Sequence, residues 1–524
     1  MSRTILLAGF LDQGNLGLGY LAATLDRAGY AAQTIDVRQE PEQILELARR
    51  QQPVLIGFSL IFQYYLPRFR RLAACLRAHG VRCHFTIGGH YPSLRPKEVL
   101  GEMPELDSVV RCEGEATLLD LTKRLASGCE WRETPGIAYR RNDQIVLTSA
   151  RPLASDLDEL PWPTRDYEPE HVLGRRYLPI LGSRGCARRC SFCSIHTFYR
   201  SAPGKAVRCR RPAEVVREMK ALHDDRGITI FLFQDDDFPL WGAPGRRWAL
   251  ALVDELDRRG LATRILWKIS CRVEHVEPRL FARLREAGLY LVYLGLESGT
   301  DTGLQALNKD TSVAQNLEAV SILKKLDLMF QYGFMLFDPS STFRSVRENA
   351  AFLRRIVGDG SVAAVFCRML PYAGTPVEEQ LVREGRLRGD ISQPDYAFLD
   401  PRLDDYFAAL LPAVAGWIGD GGVSCQLNWA WHEVAVIERA FPPVAGLEAY
   451  KAFLRALTRS SNDTLLSTVE NSSRAWERGE GPALAEEGLA STCRELVARL
   501  RPRRDEFIAD NQEVLLAALE AGAA

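Results

Sequence analysis

Twice along the chain, short apolar runs alternate with stretches of helical spacing. That alternation restricts the fold to parallel sheets covered by helices. In the first series the strands are TILLAGF (4–10), AAQTIDV (31–37), PVLIGFSL (53–60), CHFTIGG (83–89) and LDSVVRC (106–112). Helical patterns fall at 16–30, 66–79, 96–102 and 115–127. Five strands predict an α/β domain of the flavodoxin-like, doubly wound kind over residues 1–149. It closes with a hairpin, GIAYRRNDQIVLTS (136–149), turning at Asn142-Asp143.

Residues 150–172 are rich in proline, lack periodicity and read as a linker. The second series has strands at 177–183, 228–234, 264–270, 289–297, 328–337 and 363–370. VRENAAFLRRI (346–356) is a clear helix between two of them. Six strand–helix repeats are too few for an eight-stranded barrel and predict a partial (β/α)6 barrel over 173–388. Strand signals stop near 390, which predicts a mostly helical C-terminal domain over 389–524.

The net charge is -1, so bulk charge supplies no reason for a nucleic-acid or anionic-membrane partner. No apolar run reaches the ~18 residues of a membrane helix, and MSRTILLAGFLDQG reads as a strand, not a signal peptide. A cytoplasmic protein with no membrane span is expected. Of twelve cysteines, nine are scattered and read as reduced thiols.

The other three, Cys186, Cys190 and Cys193, stand in SRGCARRCSFCS (183–194), immediately after the first strand of the second series. So tight a loop can wrap three thiolates around one small inorganic body. Zinc would want a fourth ligand, and His196 is near enough to be considered. An iron–sulfur cluster on three cysteines would keep one iron open for another ligand.

C-x3-C-x-aromatic-C, with Phe192 as the aromatic, resembles the radical S-adenosylmethionine superfamily. The likeness extends through FQDDDF (233–238), LGLESGTDTGLQALNKDT (294–311), FMLFDPSSTFRSV (334–346) and MLPYAGTPVEEQL (369–381). One departure is Phe337-Asp338-Pro339, where the family often has Gly-x-Pro. In the first domain LGLGYLAATLDRAGY, IGGHYPS, CEGEATLLDL and DLDELPWPTRD are similar to the cobalamin-binding branch, with Cys112 standing where glycine is common. The loop after the first strand has no histidine, so cobalt would lack a histidine on its lower face.

The resemblance implies that Cys186, Cys190 and Cys193 hold a [4Fe–4S] cluster whose open iron takes S-adenosylmethionine. It places contacts to that molecule at Phe192, Gln234, Asp235, Arg272 and Glu297, with Glu297 and Asp236 as catalytic candidates. Cobalamin would meet Asn15, Leu16, Ser59, Leu60, Gly88, Gly89, His90 and Glu113, with His90 in the loop around its tail, not on cobalt. From residue types alone, Gly88-Gly89 after a strand is also an ordinary turn, and the Asp235–Asp237 run is also a solvated loop. Arg272 also reads as half of a surface salt bridge. Arg208 and Arg210 either brace the cluster loop or simply charge the start of a helix. Trp429, Trp431 and His432 read as a helix packing face or a substrate lid.

The implied activity is methylation of an unactivated carbon of a small biosynthetic intermediate, through a 5'-deoxyadenosyl radical and methylcobalamin. An electron donor such as flavodoxin or ferredoxin would serve it. Cyclisation, ring contraction or rearrangement is the alternative within the branch. A non-catalytic metal or cobalamin carrier is the alternative outside it.

Overall fold

The first strand series folds within a residue or two of its expected limits. The computed structural model describes residues 3–12, 14–142, 144–481, 484 and 486–523. β1 (Thr4–Gly9), β2 (Ala31–Asp36), β3 (Leu55–Ser59), β4 (His84–Gly88) and β5 (Ser108–Val110) run parallel in the order β2-β1-β3-β4-β5. This is the flavodoxin-like order. β6 (Ile137–Arg141) and β7 (Gln144–Leu147) extend the sheet antiparallel. Asn142 turns between them at φ 54, while Asp143 lies outside the described residues.

The inner strands β1, β3 and β4 are buried because both faces are covered, whereas the edge strand β2 is mostly half-exposed. Leu6, Ala8, Ile56, Phe58, Phe85 and Ile87 point to one side. There they pack on α2 (Pro41–Gln51), α3 (Leu66–Ala78) and α5 (Pro96–Glu102), through residues such as Leu45, Phe69 and Val99. Ile5, Leu7 and Leu55 point to the other side. They meet Leu18 and Leu25 of α1 (Leu16–Arg27) and Leu118 and Leu121 of α6 (Glu115–Ser127). A one-turn helix, α4 (His90–Leu94), follows β4 directly. HYPSL is too short to carry a helical period, so the sequence does not predict it.

Next come β8 (Glu170–Val172), β9 (Arg175–Ile180), β10 (Ser183–Arg184), α7 (Ser194–Arg200), β11 (Arg208–Cys209) and α8 (Pro212–Arg226). β12 (Ile228–Phe233), α9 (Gly242–Arg258), β13 (Leu266–Arg272), α10 (Pro278–Glu286) and β14 (Leu289–Glu297) follow. After α11 (Asp301–Ala306), α12 (Val313–Lys325) and β15 (Met329–Phe337) come α13 (Phe343–Val357) and β16 (Cys367–Arg368). The second sheet has the order β16-β15-β14-β13-β12-β9-β8, so its strands from β9 to β16 lie in chain order. This is the partial (β/α)6 barrel, with β8 added antiparallel at its edge. The linker therefore ends in a strand that the sequence does not signal. The sixth barrel strand shrinks to Cys367–Arg368.

Beyond the barrel lie α14 (Pro376–Arg383) and a hairpin of β17 (Leu387–Gly389) and β18 (Pro394–Tyr396). Strand structure thus persists past 390. Helices take over at α15 (Pro401–Ile418), α16 (Val423–Ala440), α17 (Leu447–Glu477), α18 (Glu486–Asp510) and α19 (Gln512–Ala523). Residues 401–440 are apolar and long enough by composition to cross a membrane. In the structure they are two separate helices of 18 residues each. Several of their large side chains are core: Trp417 is fully buried and donates to Ser461 of α17 at 3.0 Å, and Trp431 donates to Thr458 at 3.1 Å, while Leu411 and Trp429 are exposed.

The chain packs as two compact units. One comprises Met1–Glu168, Pro179–Glu214 and Leu370–Tyr396; the other comprises Pro169–Leu178, Val215–Met369 and Ala397–Ala524. These limits cut across the domain boundaries expected from sequence. In the first unit Gln63 explains part of the difference. Its amide accepts from Ala373 N–H at 2.7 Å and donates to Ile391 O at 2.9 Å, while Arg95 pairs with Glu378 at 2.5 Å. In the second unit, Asn462 of α17 satisfies three backbone groups, donating to Val357 O and Val362 O and accepting from Ala364 N–H. Such buried polar pairing ties the helical segment to the segment between α13 and β16.

Candidate active site

In a doubly wound sheet, ligands bind beyond the carboxyl ends of the strands. Four expected cobalamin contacts lie at that edge. Ser59 pairs in register with Gly88, and Leu60 N–H donates to Gly88 O at 2.8 Å. Gly89 has φ +109, and a Cβ there would stand 2.2 Å from Leu60 O. Only glycine lets the two strand ends approach so closely. Ser93 fastens the turn, donating to Gly89 O at 2.6 Å and accepting from Cys112 N–H at 2.8 Å.

Cys112 itself has φ 62. The backbone here takes the left-handed region that favours glycine, which is the residue the resemblance leads one to expect at this position.

Asn15 and Leu16 have local work. Asn15 caps α1, accepting from Leu18 N–H at 3.0 Å and donating to Phe10 O at 3.0 Å. Leu16 is 7% exposed. The groups open at this edge are aromatic instead. Phe62 and Tyr65, in the loop after β3, are 40% and 38% exposed, and Phe62 stacks on Tyr64 at 5.5 Å. His90 is half-buried and stacks on Phe198 of α7 at 4.1 Å. Burial pulls its pKa down to about 4, so it is neutral near pH 7.

The cysteine loop follows β10, and β10 pairs antiparallel with β11. These two short strands carry Arg184 and Arg208, which both reach Glu113. Arg208 makes a bidentate pair with it at 2.8 and 2.9 Å and also donates to Ala154 O. Arg184 reaches Glu113 at 3.1 Å and Glu115 at 2.6 Å, and lies 4.8 Å above the ring of Tyr20. Burial raises the Glu113 pKa, but the Arg208 hydrogen bonds and the two guanidinium charges outweigh it and hold the carboxyl below its ordinary value. Both Glu113 oxygens are thus engaged by protein groups. Arg208 braces the segment leading into the cysteines, and Arg210 anchors it through Asp158 at 3.3 Å and Leu181 O at 3.1 Å.

Within the loop Cys190 is buried, while Cys186, Cys193 and Phe192 are half-buried. Arg188 N–H donates to Cys186 Sγ at 3.5 Å. His196 Nε2, three residues after Cys193, is buried with no hydrogen-bond partner. Among the described residues no group of three or more His, Cys, Asp or Glu side chains, the three thiols included, is gathered closely enough to hold a metal ion. Three thiols on one short loop suit a cluster that keeps one iron open.

The other expected residues belong to the half-barrel unit. Gln234 and Asp236 are exposed and Asp235 is 5% exposed, all just past β12. Arg272 ends β13, where it pairs with Glu274 and donates to Lys309 O. At 5% exposure this is a buried pair, not a surface one. Glu297 ends β14 beside a bulge, at φ 63, and accepts from Lys309 Nζ at 2.9 Å. This is the left-handed backbone region that non-glycine residues seldom adopt. Asp338, in the departure from Gly-x-Pro, holds its own turn by accepting from Ser340 N–H at 2.7 Å. Cys271 is buried; Cys367 is a thiol whose pKa burial raises to about 11.

Arg184, Glu115 and Lys309 were not singled out by the sequence. The adjacency of Arg184 to Gly185-Cys186 and the second glutamate of Glu-Gly-Glu were the available signals. Trp429, Trp431 and His432 lie on α16. There His432 hydrogen-bonds Tyr290 at 2.7 Å and Trp429 donates to Glu433 at 3.0 Å.

Residues 3–122 match the B12 binding domain family, and residues 180–353 match the radical SAM superfamily. An uncharacterized methyltransferase, PH0819, of Pyrococcus horikoshii is 27% identical over 74% of this chain and 82% of its own length. The anaerobic magnesium-protoporphyrin IX monomethyl ester cyclase of Cereibacter sphaeroides is 29% identical over 63% of this chain, a span of only 55% of that cyclase. The solved structure of the cobalamin-dependent S-adenosylmethionine radical enzyme OxsB superposes with a TM-score of 0.66 at 17% identity. It covers 99% of this chain and 83% of its own, which establishes a common fold.

The two matched domains account for the α/β architecture and make cobalamin, S-adenosylmethionine and a [4Fe–4S] cluster the cofactors. The chain belongs to the cobalamin-binding radical S-adenosylmethionine enzymes.

Proposed function

We propose that this radical enzyme methylates an unactivated carbon of a small biosynthetic intermediate. The observation that carries the reading is the Glu113–Arg184–Arg208 brace. It joins the loop bearing the three thiols to the cobalamin-binding fold within one compact unit. A non-catalytic carrier has no need of such a tie, nor of a strained Glu297 in a separate half-barrel. The relative named a methyltransferase, matched over most of its length, also favours this reading.

Bound to such a site, the cluster and S-adenosylmethionine supply a hydrogen-abstracting radical, and cobalamin supplies the methyl group. The chain supplies position, charge and water exclusion. In this reading Cys186, Cys190 and Cys193 ligate the cluster and Phe192 packs beside it. Gln234, Asp235, Arg272 and Glu297 face S-adenosylmethionine, with Arg272 and Glu297 held in place by Glu274 and Lys309. Asp236, exposed, faces the substrate. Ser59, Leu60, Gly88 and Gly89 line the cobalamin tail, and the aromatic rim of Phe62 and Tyr65 takes the apolar edge of the corrin. The electron donor is a small redox protein of the flavodoxin or ferredoxin kind.

A relative that is a cyclase favours a second reading, ring formation without methyl transfer. The assignment of the site is tested by metal analysis of the anaerobically purified chain and of C186A, C190A and C193A. Each variant is expected to lose iron and keep cobalt. Zinc in place of iron in the unaltered chain would overturn the reading.

A further inference from the structure

β13 turns alternate residues to opposite faces of the half-barrel sheet. Trp267, Ile269 and Cys271 are buried, and Trp267 packs on Phe233 and Phe238 at 5.9 Å. Lys268 and Ser270 lie on the other face and are only half-buried. The lower end of that face is closed by α16, whose Val436 packs with Ile230, Leu266 and Leu291. Lys268 stands just above this apolar floor.

Its ammonium lies 3.3 Å from Ser270 Oγ and 5.6 Å from the ring centre of Tyr293. Tyr293 is 38% exposed, and its hydroxyl lies over Gly333 of the next strand, where a Cβ would come within 3.0 Å of it. Two nearby cations have carboxylate partners: Lys309, in the loop after α11, has Glu297, and Arg272, at the end of β13, has Glu274. Lys268 pairs with no carboxylate among the described residues. Burial alone draws its pKa down, with no acidic group acting against it. An ammonium so placed is costly unless an anion completes it.

We propose that Lys268, with the hydroxyls of Ser270 and Tyr293, binds an oxyanion of the substrate, a carboxylate or a phosphoryl group. This rests on the half-barrel interior being the substrate site. It narrows the substrate to an anionic molecule and orients it with its charged end down and its reacting carbon toward the strands' carboxyl ends. Arg272 stands four residues further along β13, roughly 13 Å away at about 3.3 Å per residue. The anion at Lys268 is therefore distinct from the methionine carboxylate assigned to Arg272.

The test is competitive acetylation of lysines by acetic anhydride in the holoenzyme, read by peptide mass spectrometry. Inorganic phosphate, succinate or S-adenosylmethionine is added, one at a time. Phosphate or succinate is expected to slow the labelling of Lys268 at least threefold and to leave exposed Lys97 and Lys123 unaffected. Whichever anion protects separates a phosphoryl from a carboxylate ligand, and S270A is expected to weaken the protection. Protection by neither anion, or by S-adenosylmethionine alone, overturns the proposal. Release of 5'-deoxyadenosine by the same reduced holoenzyme reports separately on the radical reading, so the two fail distinguishably.

Discussion

Glu113 holds Arg208 through two hydrogen bonds, of 2.8 and 2.9 Å, with both side chains under 10% exposed. The pair connects the loop after β5 to the strand beside the cysteine loop. Removing one partner strands a buried charge, which costs about 3–5 kcal/mol. E113A is expected to lose that much in urea unfolding, and R208A less, because Arg184 still engages Glu113 at 3.1 Å. The double variant is expected to lose less than the sum, because the second removal relieves the stranded charge. Additive losses would mean that the pair does not couple.

The same carboxyl sets a pH dependence. Its folded pKa is below the ordinary 4.5, so the folded state favours the ionised form. The stability it contributes is present above pH 4.5 and is lost as pH falls through the folded value. The stability gap between the unaltered chain and E113Q is therefore expected to be flat above about pH 5 and to shrink below 4.5. Unfolding curves at stepped pH measure it; a gap that widens in acid would contradict the assignment.

Gly89 has no room for a side chain. A Cβ would stand 2.2 Å from the Leu60 carbonyl oxygen at φ +109. G89A is expected to destabilise the chain by more than about 2 kcal/mol, combining conformational strain with the clash. It is also expected to weaken cobalamin retention on gel filtration. Unchanged stability and cobalt content would show that the turn has another way to relax.

His90 is neutral near pH 7, half-buried and stacked on Phe198. We expect a residue so placed to pack the turn after β4 and to leave cobalt without a histidine ligand. The Co(II) form is expected to give an electron paramagnetic resonance spectrum without nitrogen splitting, and H90F, which keeps the stack, is expected to match it. Nitrogen splitting that disappears in H90F would make His90 the ligand.

Much of this was legible in the sequence, for physical reasons. The inner strands of the doubly wound sheet are buried on both faces, so they stand out as mainly apolar runs, and β4 and β5 fell within a few residues of their expected limits. Cys186, Cys190 and Cys193 were visible because ligands on one loop are adjacent in sequence. What escaped depended on pairing at long range. Glu113 looked like a cofactor contact until two arginines about 70 and 95 residues away were seen to engage it. Arg272 looked exposed because Lys309, its carbonyl partner, sits in another loop. β8 and the β17–β18 hairpin are three residues per strand and exist through their ladders, not through an apolar period. Lys268 carried no signal at all, since only the sheet's pleat and the missing carboxylate distinguish it.

The central claim is methyl transfer, and the most direct test is product accounting. The reduced, cobalamin-loaded enzyme is incubated with S-adenosylmethionine carrying a labelled methyl group and an extract of small anionic metabolites. Mass spectrometry then follows S-adenosylhomocysteine, 5'-deoxyadenosine and any labelled product. The account predicts both nucleosides and a metabolite heavier by one labelled methyl group. Formation of 5'-deoxyadenosine without S-adenosylhomocysteine, with a product lighter by two hydrogens and free of label, would contradict it and make the chain a cyclase.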